Sequence, residues 1–150
     1  MKLTFTFLLL FSFCQFTYSQ SPDQTISNFF EAYKAMDATK AIDILYSKSV
    51  DVNETREAMR IQLKRLLRNS GKYFGADLLS KKTAGPNVVM YTYLVRHYIE
   101  PVTFRILLYK PAEFWQLQSF KINTDVSTEL EEASKAYRSK ENIRDDSAPE

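Results

Sequence analysis

The apolar residues of this chain change their period once, near Tyr73, and that change decides what the chain can fold into. Before it they recur every three or four residues: Ile26, Phe29, Phe30 and Tyr33, then Ala41, Ile42 and Leu45, then Met59, Leu63, Leu66 and Leu67. A helix start precedes each stripe. Ser21 stands before Pro22 with Gln24 placed to close a capping box, and Asp37 and Asn53 can cap the second and third helices. Gly71, behind Asn69-Ser70, predicts the stop of the third. After Tyr73, Pro86, Pro101 and Pro111 divide the chain into β-rich segments: Tyr73 to Lys82, Val88 to Ile99, Val102 to Lys110 and Phe114 to Asn123. Short connections between them predict an antiparallel meander. Helices first and strands after predict an α+β fold, with three N-terminal helices packed on a curved four-stranded antiparallel sheet.

The flanks have other signatures. Residues 1–19 carry Lys2, an apolar run from Leu3 to Phe16, and the small-x-small pattern of Thr17 and Ser19, which together predict an export signal that is removed. The run is too short to span a bilayer that needs ~20 apolar residues, so no stable membrane anchor is expected. The single cysteine, Cys14, lies inside this leader. Acylation at Cys14 would make a lipoprotein, but that processing wants a small residue where Phe13 stands. The expected location is periplasmic or secreted. Residues 20–125 make one domain, 126–140 a C-terminal helix capped by Asp125 or Ser127, and 141–150 a polar tail expected to be disordered. The whole chain has 20 basic and 18 acidic residues, one of the basic ones being Lys2, so nothing pulls the exported part toward nucleic acid.

Three helices before a four-stranded meander, with the capped start Asp37-Ala38-Thr39-Lys40-Ala41, resemble the nuclear transport factor 2-like (cystatin-like) superfamily. Gly71-Lys72-Tyr73-Phe74-Gly75, and Tyr109-Lys110-Pro111 leading into Phe114-Trp115-Gln116-Leu117, resemble its small exported bacterial members of unassigned role. The resemblance covers residues 22 to 123. It implies a cone with a pocket between helices and sheet, in a superfamily that holds isomerases, dehydratases and non-catalytic binding or dimerisation modules.

Alternation along the strands sorts the candidate residues onto two faces. If Glu100-Pro101 is a two-residue turn and Lys110 to Glu113 a four-residue one, the helix-facing side carries Tyr91, Tyr93, Val95 and His97, then Phe104, Ile106 and Leu108, then Trp115, Leu117 and Ser119. The other side carries Leu94, Arg96 and Tyr98, then Arg105, Leu107 and Tyr109, then Phe114 and Phe120. Tyr91, Tyr93, His97, Trp115 and Ser119 are thus the candidate pocket lining. Leu94, Tyr98, Arg105, Leu107, Tyr109, Phe114 and Phe120 form a surface too apolar to be fully solvated. A second subunit, giving a homodimer, or the C-terminal helix would cover it.

His97 is the only histidine, and no other side chain here titrates near neutrality without help. One reading makes it a general acid or base with Tyr91 or Tyr93 as donor and Asp77 as orienting partner. The other makes it a core-edge histidine bonded to backbone. Trp115 and the tyrosines likewise could stack a ring-shaped ligand or simply fill the core. Arg60, Lys64 and Arg68, at helical spacing, could meet an anionic ligand or lipid headgroup, or form a solvated face. Asn53-Glu54-Thr55 matches a glycosylation pattern that carries no meaning in a bacterium. The chain has no Gly-rich phosphate loop, nucleophile elbow, zinc-spaced cluster or acidic calcium loop, so neither cofactor nor metal is expected. The expected function is an exported non-catalytic domain that binds a small molecule or an envelope protein. The alternative is a pocket enzyme of isomerase or dehydratase type using His97 and a tyrosine.

Overall fold

The computed structural model describes residues 20–49 and 53–128, together with Glu131, Glu132, Ser134 and Lys135. The expected export signal over residues 1–19, with Cys14, and the expected tail 141–150 lie outside the described residues. The helix expected over 126–140 is described only at Val126, Ser127, Thr128 and those four later positions, and from Ser127 on all of these are helical. Its start is capped as expected: Asp125 Oδ1 accepts from the Ser127 amide at 2.9 Å.

Three helices, α1 (Pro22–Lys34), α2 (Ala38–Leu45) and α3 (Asn53–Asn69), precede four strands, β1 (Tyr73–Thr83), β2 (Val88–His97), β3 (Val102–Tyr109) and β4 (Gln116–Asn123). The strands pair in chain order, all antiparallel, into one curved sheet. Ser21 caps α1 through the Gln24 amide at 3.2 Å. The reciprocal half of the capping box does not form, because Gln24 Nε2 turns along the helix to Asn28 Oδ1 at 2.9 Å. Asp37 Oδ1 caps α2 through the Lys40 amide at 2.9 Å.

The turn between α1 and α2 stores strain. The Asp37 amide donates to the Ala32 carbonyl at 3.1 Å and the Met36 amide to the Tyr33 carbonyl at 2.9 Å, the two bonds of a Schellman ending. That ending requires a left-handed residue, normally glycine, and Met36 takes it at φ 62°.

The helices cover one face of the sheet. Phe29 of α1 sits over the sheet centre, its ring 6.0 Å from Phe104 and 5.6 Å from Phe120. Ile26, Tyr33, Ile42, Leu45, Leu63 and Leu67 close the core from the helix side. Each fully buried side chain of this size contributes about 1.5–3 kcal/mol through removal of apolar surface from water.

Two registers differ from expectation, with opposite consequences. The last β2–β3 pair is Val95 with Val102, with Arg96 and His97 paired to β1 alone, so the connection of residues 98–101 is not the two-residue Glu100-Pro101 turn. The shift is an even number of residues, so the β2 and β3 faces are those expected. In β4 an irregularity opposite Leu107 and Leu108 changes the parity: Leu108 pairs with Leu117, but Leu107 pairs with Ser119 and Ile106 with Phe120. Ser119 and Phe120 therefore exchange faces. Phe120 goes into the core and Ser119 to the outer side beside Leu107.

Candidate functional site

His97 ends β2 opposite Tyr73 and is buried between helix and sheet, 8% exposed. Its Nε2 lies 2.7 Å from the Tyr33 hydroxyl of α1, and its Nδ1 lies 3.2 Å from the Gly71 carbonyl. The carbonyl can only accept, so Nδ1 donates to it, and in the neutral ring Nε2 accepts from Tyr33. Burial, and after it the neighbouring Tyr73, push the Tyr33 hydroxyl well above its ordinary pKa, so it stays a donor. Tyr33, Tyr73 and Phe104 pack edge-on or tilted around the pair, with Tyr33 5.3 Å from Phe104 and Tyr73 5.8 Å from His97. Gly71 can lie this close because its φ is 77°, with Tyr98 Cβ 3.3 Å from where a Cβ would stand. Both imidazole nitrogens are occupied by the protein itself.

The constellation expected around His97 does not assemble. Asp77 pairs with Leu94 across β1 and β2 and holds Arg96 Nε at 2.7 Å, on the outer face. It cannot orient the ring on the inner one. Tyr93 stands four residues from His97 along the strand, its ring 4.7 Å from Phe30 and 6.3 Å from Tyr91. Tyr91 is buried, and its hydroxyl donates to Asp23 Oδ1 at 2.7 Å. Lys81 Nζ binds the same carboxylate at 2.7 and 2.9 Å. Lys81 and Tyr91 together hold Asp23 below the usual carboxylate range, while burial and Asp23 push Tyr91 up. This cluster ties the start of α1 to β1 and β2. Trp115 is half-buried with Phe114 beside a crevice of about 20 Å³, room for a single water. Sequence reasoning missed Tyr33, the partner that matters most to His97, because nothing in a sequence brings together residues 64 positions apart.

Of the expected interface residues, Leu94, Arg105, Leu107 and Tyr109 do share the outer face. Tyr98 lies in the β2–β3 connection and Phe114 in the β3–β4 connection, with Lys48 Nζ 5.3 Å from the Phe114 ring centre. Thr92 and Thr103, also on the outer side, are buried, and Leu94, Arg105 and Leu107 are half-buried. The basic stripe of α3 divides too. Arg60 is bound to Asp43 and to Glu57, whereas Lys64 and Arg68 line a shallow groove with Met36, Ile61 and Leu67. Among the described residues no group of acidic, histidine or cysteine side chains converges to hold a metal ion, and no helix is long and apolar enough to cross a membrane.

No protein-family model matches the chain, and no curated protein matches it in sequence. Among solved structures it is similar to a protein from Thiobacillus denitrificans provisionally assigned as a calcium/calmodulin-dependent protein kinase type II association domain. The TM-score is 0.51 at 9% identity, over 70% of this chain and 95% of the other. At that identity the likeness concerns architecture alone: three helices on a four-stranded curved meander, the nuclear transport factor 2-like fold.

Proposed function

We infer that this chain is an exported, non-catalytic domain that binds a small molecule or an envelope protein at its surface. A nuclear transport factor 2-like fold is compatible with ligand binding. The observation that carries the reading is the filled interior. Tyr33 and Gly71 occupy both nitrogens of His97, and aromatic rings close the space where a substrate would stand. A general acid or base must have a proton path to a bound substrate. Here the partner of each ring nitrogen is an atom of the protein itself. The leader supports export to the periplasm or beyond, and the half-buried Leu94, Arg105 and Leu107 beside the exposed Tyr109 on the outer face support a homodimer or docking of the C-terminal helix there.

Diethyl pyrocarbonate, which acylates accessible imidazoles, tests this on residues 20–150, where His97 is the only target ring. The folded chain should react far more slowly than the same chain in denaturant. Equal rates would mean an open pocket and would return His97 and a tyrosine to candidacy as the centre of an isomerase or dehydratase. For the outer face, light scattering of the chain with and without residues 126–150 separates its two covers. A monomer that self-associates only after truncation identifies the helix as the cover, and a dimer in both forms identifies the second subunit.

A further inference from the structure

One end of the molecule gathers exposed apolar side chains inside a basic rim. Met36, Ile61 and Phe74 are 51%, 52% and 52% exposed, on the α1–α2 turn, α3 and β1. Met36 joins two shallow grooves. One, about 330 Å³, is lined with Ile61, Lys64, Leu67 and Arg68, and the other, about 410 Å³, with Lys34, Lys72, Tyr73 and Phe74. No acidic side chain lines either groove. The β2–β3 connection adjoins them: Tyr98 and Ile99, 77% and 66% exposed, pack over Gly71 between Arg68 and Lys72. Among the described residues none of the four cations is in an ion pair, and Lys72 Nζ rests 5.7 Å from the Phe74 ring centre.

We propose that this end docks reversibly on an anionic lipid surface, with Met36, Ile61 and Phe74 entering the boundary between headgroups and acyl chains and the four cations meeting the lipid phosphates. Charge complementarity selects an anionic partner. The kind of cation selects lipid over protein: three of the four are lysines, which protein interfaces deplete, whereas a lysine on a long apolar stem is suited to a headgroup layer. The strained backbone agrees. A glycine would fit the turn at lower energy, yet the chain places a methionine there with its side chain in solvent, and outliers of this kind cluster at binding sites. The proposal goes beyond surface binding in general and does not depend on whether His97 is accessible.

The test is co-sedimentation of residues 20–150 with vesicles of phosphatidylcholine alone and of phosphatidylcholine mixed with phosphatidylglycerol. Binding is expected only to the mixed vesicles, weakening as salt rises. Lys64→Gln with Arg68→Gln should raise the lipid concentration for half-binding by roughly thirty-fold, from two lost charge contacts. Ile61→Ser with Phe74→Ser should weaken binding without changing its salt dependence. Circular dichroism and the unfolding midpoint establish that each variant is folded. No binding to the mixed vesicles, equal binding to the neutral ones, or binding unchanged in both double variants would overturn the proposal. Salt-sensitive binding to soluble polyglutamate in the absence of vesicle binding would also overturn it, in favour of an acidic protein.

Discussion

The interior around His97 and the end around Met36 are built from similar apolar and aromatic material and use it in opposite ways. Inside, the polar groups of the His97 pair are satisfied by the protein itself: the ring has Tyr33 and Gly71, and rings close the gaps. At the end, apolar side chains stand in solvent, cations have no acidic partners among the described residues, and the backbone holds Met36 where glycine would be easier. In this chain the lone titratable histidine belongs to the region that holds the fold together, while ordinary lysines and a methionine mark the region free to meet something else.

The largest blow to the comparison would come from the interior. Phe104→Ala removes a fully buried ring that touches Phe29, Tyr33 and Phe120, and should destabilise by about 3–5 kcal/mol in urea unfolding. A loss much smaller than that would reveal slack in the cone and weaken the contrast. Tyr33→Phe keeps the ring and deletes the hydroxyl, leaving Nε2 of His97 without its partner. The expected loss is about 1–3 kcal/mol. No loss would mean that water already reaches the imidazole. Met36→Gly has the opposite sign, relieving the left-handed strain for a gain of about 1 kcal/mol. The same variant should bind anionic vesicles more weakly. A protein both more stable and a poorer binder would sharpen the contrast, and one that is less stable would remove the strain from it.

Much of the fold was legible because it rests on periodicity. The stripe Leu63, Leu66 and Leu67 is buried, and so are Ile26, Phe29 and Tyr33. The faces of β2 and β3 withstood a wrong turn, since a register shift by an even number of residues leaves every side chain on its own side. The last strand did not. Nothing at Gln118 announces the irregularity that turns Phe120 inward and Ser119 outward, because no glycine or proline stands there. The site was less legible than the fold. Asp77 and His97 lie on neighbouring strands, but pairing places them on opposite faces, and an aspartate beside an arginine prefers it to a distant imidazole. Met36 carries no compositional cue for a left-handed turn. The groove at that end becomes visible only when α1, α3 and β1 are brought together.

The seam joining the two regions has a dynamic consequence. The Tyr98 amide donates to the Lys72 carbonyl at 2.9 Å and the Ile99 amide to the Ser70 carbonyl at 3.1 Å, next to the bond from His97 to Gly71. A connection whose side chains face water is thus stitched to the α3–β1 junction through its amides. Hydrogen exchange at Tyr98 and Ile99 should be slow for a loop, tracking the opening of the sheet rather than local fraying. Side chains carried on backbone that is already ordered surrender little conformational entropy on docking. The buried histidine, through its bond to Gly71, thus holds one side of the seam from which Tyr98 and Ile99 project.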